Sequence, residues 1–365
     1  MKDNSTAKKY NNIKLAVSIT KSIIAFIILL LFVLLGYSSL LEKYIRTFAS
    51  NDYLVLLIFA LSIGFASSVL FFPVKYFVEF YLEHKYNLSN QTFWKWIWEE
   101  TKETFVGLVI GLPLLFIFYY FLNLFGESWW LPFAIILFII SVFLAKILPV
   151  IILPIFYKIT PLENEELKSK IIELSKNAGL SVENIYKFNM SKNTKKANAS
   201  FTGLGKSKRI LLGDTILENY STDEIETVIA HELGHYKKKH IIKNILIGTI
   251  TSFATFYLIS KFYLITLPYF GFDSITTISA LPLLGLWATL VSLIITPISN
   301  SISRKFEYEA DQYSVEVTNK KEAFISTLEK LTDQNLADRE PHPVVEWFFY
   351  SHPSIKKRIR ALSNI

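Results

Sequence analysis

Six apolar windows set the rhythm of the chain, at 22–41, 53–72, 105–125, 130–155, 245–265 and 275–295. Each is long enough to cross a hydrocarbon core of about 30 Å as a helix, and soluble proteins do not carry six of them. The pattern therefore predicts a polytopic α-helical membrane protein. Tyr53, Trp129, Trp130, Tyr263 and Tyr269 stand at window ends, where an aromatic ring with a polar tip suits the headgroup level. Lys8, Lys9, Lys14 and Lys21 precede the first window as they would in a signal peptide. The run is too long for one and no small-x-small site follows it, so it reads as a retained anchor.

Between the fourth and fifth windows the pattern changes. Thr160-Pro161-Leu162-Glu163 reads as an N-cap with proline at the first helical position, opening a helix that runs to about Ala178 before Gly179. Short strand-like runs follow at 185–189, 198–204 and 209–213, with a turn over Gly203, Gly205 and Lys206-Ser207-Lys208. A small α+β module is expected here. Beyond it, 236–240 carries three lysines and leads without a breaker into the fifth window, which predicts a helix continuing into the bilayer.

Charge sets the expected orientation. With a cytoplasmic N-terminus, the outer loops are 38–52, 126–129 and 266–274, whose only basic residues are Lys43 and Arg46. The basic stretches 73–104, 158–240 and 300–365 then lie inside. The net charge of +7 fits this bias and contact with anionic headgroups, and no nucleic-acid partner is expected. Lys146, inside the fourth window, is placed to snorkel to the inner interface. The chain has no cysteine, so a metal site must use histidine and carboxylate.

Candidate chemistry centres on His231-Glu232-Leu233-Gly234-His235. Positions i and i+4 share a helix face, so both imidazoles can reach one Zn²⁺ while Glu232 is displaced around the helix toward a water. Ser221 and Glu224 have capping-box spacing, and acidic residues load the first turn, so the motif sits two to three turns into a well-started helix. Two histidines leave a catalytic zinc one protein ligand short. Glu307 and Asp311 offer two carboxylates at i and i+4 on a helix after the sixth window. One could bind the ion and the other orient a ligand histidine, although a solvated charged face is the ordinary reading of such a pair. His84, His240 and His342 have no partner at metal spacing and are assigned no role.

The HELGH motif, the apolar hairpin after it and Glu307-Tyr308-Glu309-Ala310-Asp311 together resemble the type I CaaX prenyl endopeptidases, integral-membrane zinc proteases related to the bacterial heat-shock membrane protease. Asn90-Gln91-Thr92, Lys158-Ile159-Thr160-Pro161-Leu162, Ala197-Asn198-Ala199, Arg209-Ile210-Leu211-Leu212 and Tyr350-Ser351-His352-Pro353 resemble that family in kind and order, over about 54–362. The resemblance implies that Glu307 is the third zinc ligand, and it treats Glu309 as a variable position. It also draws attention to Asn198, His352 and Arg358. Asn198 would bind substrate backbone at an exposed strand edge, His352 would stabilise the oxyanion and Arg358 would meet the product carboxylate. Their ordinary readings are a turn residue, a helix-entry residue and one more charge on a basic helix. Eukaryotic members are read with seven spans, five before the zinc helix. Four are counted here, so the chain looks like a prokaryotic-type member.

We expect one integrated unit: four spans in 1–157, the zinc-peptidase module in 158–240, a membrane hairpin in 241–299 and a helical part with the third ligand in 300–365. The expected activity is metalloendopeptidase cleavage of extended or membrane-associated peptides, with prenylated CaaX chains among the substrates, by a water that Glu232 deprotonates. A quality-control protease of the heat-shock type is the alternative. A transporter or scaffold with a structural metal is the rival of another class, and Glu232 argues against it because a structural site needs no base.

Overall fold

The computed structural model describes residues 4–180, 184–203 and 208–364. Among the described residues, six helical stretches are long and apolar enough to cross a membrane: Ser5–Leu34, Asp52–Lys85, Phe93–Ser128, Trp130–Phe156, His240–Phe270 and Ile278–Thr318. They carry the six apolar windows. The first helix, α1 (Asn4–Leu34), starts well before its window and ends inside it. Gly36 takes φ 75, which a glycine adopts freely, and the chain restarts as the short α2 (Tyr37–Ile45). The window 22–41 is thus a span plus a turn.

Helix α3 (Asp52–Lys75) passes through a π-helical turn, Tyr76–Tyr81, into α4 (Leu82–Lys85). After α5 (Phe93–Phe125), α6 (Trp130–Ile147) likewise passes through a π-helical turn at Leu148–Ile152 into α7 (Leu153–Phe156). Pro149 and Pro154 lie at that second irregularity, as expected where the i→i−4 ladder loses a donor.

The module that follows is a four-stranded sheet in the order β1-β2-β4-β3. Strands β1 (Ile159–Pro161), β2 (Ile185–Phe188), β3 (Ala199–Thr202) and β4 (Arg209–Gly213) pair antiparallel, parallel and antiparallel across that order. Three were legible as strand-like runs. The fourth is a correction: Thr160 and Pro161 belong to β1, and α8 (Glu165–Asn177) starts four residues later than the proline suggested, capped by Asn164, whose side chain accepts from Leu167 N–H. Proline is tolerated because β1 is an edge strand. The predicted turn falls mainly on 204–207, outside the described residues.

After α9 (Asp214–Asn219), the motif helix α10 (Thr222–Lys237) begins with both halves of the Ser221–Glu224 capping box in place. Its buried face, Ile225, Ile229 and Leu233, packs with Ile171 of α8 and with Ile210 and Leu212 of β4. Helix α10 does not continue into the bilayer. It stops at Lys237, Lys239 takes φ 58, and α11 (His240–Thr266) starts as a separate helix. Three consecutive lysines favour such a stop at the water boundary over entry into lipid.

Helix α12 (Pro282–Thr318) has 37 residues, about 55 Å at 1.5 Å per residue, against a hydrocarbon core of about 30 Å. One rod therefore both crosses the apolar layer and reaches past it. Its polar end packs against α10, and α13 (Lys321–Gln334), α14 (Pro343–Phe349) and α15 (Ile355–Ser363) close around it. Gly234 sits at the α10–α12 contact, where an added Cβ would lie 3.0 Å from Ala310 Cα and 3.1 Å from Ala310 O. Glycine there is a condition of the approach.

Candidate metal centre

His231 and His235 present their Nε2 atoms 3.2 Å apart from one face of α10. Glu307, buried on α12, brings Oε2 to 3.5 Å from His231 Nε2 and Oε1 to 3.3 Å from His235 Nε2. Four ligands set tetrahedrally about 2.0–2.1 Å from one ion stand roughly 3.3–3.4 Å from each other, so the three atoms have the spacing of ligands around a shared centre. Among the described residues, these three form the group able to hold a metal ion. Glu307 Oε2 is buried without a hydrogen bond, and a buried carboxylate oxygen in that state is costly unless a cation satisfies it. Burial works against charge on His231, but the Asp311 and Glu307 carboxylates outweigh it and hold its pKa up at about 9. The local field favours positive charge, so the residues present fit a divalent cation.

Around this triangle, Asp311 Oδ1 lies 2.9 Å from His231 Nδ1. Asp311 is buried and held by both Nε and Nη2 of Arg358, while Nη1 lies 3.8 Å from Glu307 Oε2. Of the two carboxylates on the α12 face, Glu307 points to the imidazole Nε2 atoms and Asp311 to the back of His231.

The equivalent support for His235 comes from a residue assigned no role in the sequence. His235 Nδ1 is 3.0 Å from His240 Nδ1, and His240 Nε2 is 2.9 Å from Glu309 Oε2. His240 is buried and stacked on Phe306, with ring centroids 4.2 Å apart. Glu309, read as variable, anchors that relay. On a helix running straight on, His240 would point away from His235; the break at Lys239 turns it back. The run of lysines was the available signal.

Glu232 stands beside the triangle, and its Oε2 accepts a hydrogen bond of 3.1 Å from the backbone N–H of Phe201 on β3. Asn198 is exposed at the start of that edge strand, and its carbonyl accepts from Gly213 N–H. His352 lies in the loop between α14 and α15, with a side chain 65% exposed and Nε2 3.5 Å from Glu307 Oε1. A cavity of about 440 Å³ gathers Asn198, His231, Glu232, Glu307, His352 and Arg358 on its walls. The structure thus brings the sequence-selected residues to one place, with His235 and Asp311 behind them. Lys146 is exposed within its span, while His84 and His342 bond locally to backbone.

A polytopic helical protein whose HExxH helix meets a carboxylate from a second helix defines a membrane metallopeptidase. Comparison with known proteins agrees. Residues 161–365 match the model of peptidase family M48, and 2–158 match that of the CAAX prenyl protease N-terminal region, described as five membrane helices. The chain belongs to peptidase family M48. It is 34% identical to the "Uncharacterized metalloprotease YhfN" of Bacillus subtilis, over 91% of this chain and 79% of that one. It is 32% identical to CAAX prenyl protease 1 of Saccharomyces cerevisiae, over 82% of this chain and 70% of that one. The crystal structure of S. mikatae Ste24p superposes with a TM-score of 0.88 at 29% identity, covering 98% of this chain and 88% of that one. The chain is accordingly a multi-pass membrane metalloprotease acting on peptide substrates, and the transporter or scaffold reading falls away.

Proposed function

We propose that the protein is a zinc endopeptidase that cuts extended peptides reaching it from the membrane surface, prenylated CaaX-type chains among them. The observation that carries this is the convergence of His231, His235 and Glu307 at ligand spacing, with Glu232 on the wall of the same cavity. Zinc held there would supply a Lewis acid for the scissile carbonyl and the attacking water. Glu232, fixed by the Phe201 N–H, takes a proton from that water and delivers it to the leaving amine. His352, whose Nε2 lies 3.5 Å from Glu307 Oε1, donates to the oxyanion. The outer edge of β3 offers its backbone to an extended chain, with the Asn198 amide at its start and Arg358 Nη1 available to the new carboxylate. The four segments 1–157, 158–240, 241–299 and 300–365 work as one unit, because the ligands come from two of them.

Peptide cleavage by purified protein, measured with and without metal, tests the activity. Proteins accumulating on a Glu232→Gln trap decide the substrate class: prenylated chains support the CaaX reading, and damaged membrane proteins support quality control.

Two further outcomes follow. Asp311→Asn should weaken metal affinity or activity by about 10–100-fold without abolishing the site, and His240→Ala should act in the same direction through His235. A competitive chelator titration indistinguishable from wild type would remove either residue from the support of the site. The orientation we propose puts the metal site in the cytoplasm, since basic residues are sparse in the loops opposite it. Single cysteines at the exposed positions Ser128 and Ser274 should then react with an impermeant maleimide in intact cells, and those at Ser169 and Ser363 only after permeabilisation. The reverse pattern inverts the protein.

A further inference from the structure

A second cavity, of about 760 Å³, adjoins the first: both have Asn11, Ala197, Asn198, Asn335 and Tyr350 in their walls. Its distinctive lining is Tyr10, Lys14 and Lys196. Behind these lies Glu83, whose side chain is 12% exposed. Lys14 Nζ is 2.9 Å from Glu83 Oε1 and Lys196 Nζ is 2.8 Å from Glu83 Oε2. Both ammonium groups also reach Tyr10 Oη, at 3.1 and 3.3 Å, and that hydroxyl donates to Glu83.

Two ammonium groups share one carboxylate, so the cluster keeps a positive charge. An ammonium has three N–H donors, and each lysine spends two on Glu83 and Tyr10, leaving one apiece at the cavity wall. Burial pulls the pKa of Lys196 below the usual lysine value, with Glu83 countering it. A half-desolvated ammonium in that state gains from a second anion.

The place of the cluster along the substrate path follows from strand alternation. Asn198 O bonds toward β4 and Phe201 N–H bonds away from it, to Glu232, so the Ala199 N–H and C=O and the Phe201 C=O face the free edge of β3, with the Phe201 N–H taken by Glu232. A peptide added there antiparallel, as β4 already lies on the other side, runs its C-terminal end back past Asn198 toward Lys196. Five positions separate Phe201 from Lys196, about 16 Å at ~3.3 Å per residue before the lysine side chain reaches back.

We propose that Lys14 and Lys196 form a carboxylate subsite, binding an acid group that the peptide carries about three or four residues beyond the cleaved bond. The subsite deepens the peptidase reading and rests on its extended substrate. A main-chain terminus and an Asp or Glu side chain have the chemistry in common.

The test is binding to metal-loaded Glu232→Gln protein in native-like lipid discs, which needs no turnover. The probes are fluorescent peptides identical except for a terminal acid, a terminal amide, or an amide with Asp at the subsite position. The acid should bind about 10-fold tighter than the amide, as charge-assisted hydrogen bonds allow. Lys196→Gln or Lys14→Gln should erase most of that ratio, and Lys196→Arg should keep it. Tight binding of the internal-Asp peptide would show that any carboxylate serves, whereas a gain confined to the free acid would assign the terminus. Equal affinities for acid and amide in the parent protein, or a ratio unchanged in both glutamine variants, would overturn the subsite. Wild-type cleavage is scored separately: acid preference without cleavage would sink the endopeptidase reading and leave the subsite standing.

Discussion

Glu232→Gln should keep its metal and lose peptidase activity by roughly 10²–10⁴-fold, the loss typical of removing a general base. The carboxamide fills the same volume and can still accept from Phe201 N–H, so the site persists while the proton acceptor is gone. His231→Ala, His235→Ala and Glu307→Ala should do the converse and strip the metal, because two remaining protein ligands hold it poorly. Elemental analysis beside a cleavage assay separates the two classes. Full metal content in Glu307→Ala would take Glu307 out of the ligand set, and undiminished cleavage by Glu232→Gln would sink the mechanism.

A loss of metal affinity is expected from Gly234→Ala, at a residue that touches neither metal nor substrate. By helix propensity alone the change should stabilise α10 by about 1 kcal/mol. At this contact the new methyl meets the Cα and carbonyl oxygen of Ala310. Backbone atoms cannot swing aside as a side-chain end can, so α10 and α12 must separate. Glu307 sits one turn from Ala310, and a shift of a few tenths of an ångström already exceeds the tolerance of a metal–ligand bond. Gly234→Ala should therefore fall at least 10-fold in metal affinity, and Ala310→Gly should fail to rescue it because the obstruction is backbone. Wild-type affinity in the single variant, by the same chelator titration, would show that the helix pair gives way freely.

Much of this was legible along the chain, and the exceptions have physical causes. The spans followed from length and apolarity, and α10 from its cap and spacing, since these are local properties. His231, Glu232 and His235 share one helix, so their geometry was fixed by 3.6-residue periodicity. Glu307 was ambiguous because its meaning depends on which helix faces it, and a resemblance rather than spacing singled it out. The strand at Ile159–Pro161 was read as a helix start because Thr-Pro is equally at home at an N-terminus and on a sheet edge. His240 was passed over because a lysine at positive φ, uncommon for any residue with a Cβ, broke a helix that periodicity carried straight on. Lys14 and Lys196 lie far apart in sequence and meet in the fold over Glu83 and Tyr10.

The length of α12 bears on how the protein comes into being. The two histidines leave the ribosome before the hairpin of α11 and α12, and Glu307 after the turn of that hairpin, on a rod whose first half belongs in lipid. Until the hairpin is threaded into the bilayer, its polar end has no fixed position opposite α10. If Glu307 is the third ligand, as proposed, a chain whose hairpin has not been inserted is expected to be inert toward its neighbours, with proteolytic competence arriving at membrane insertion.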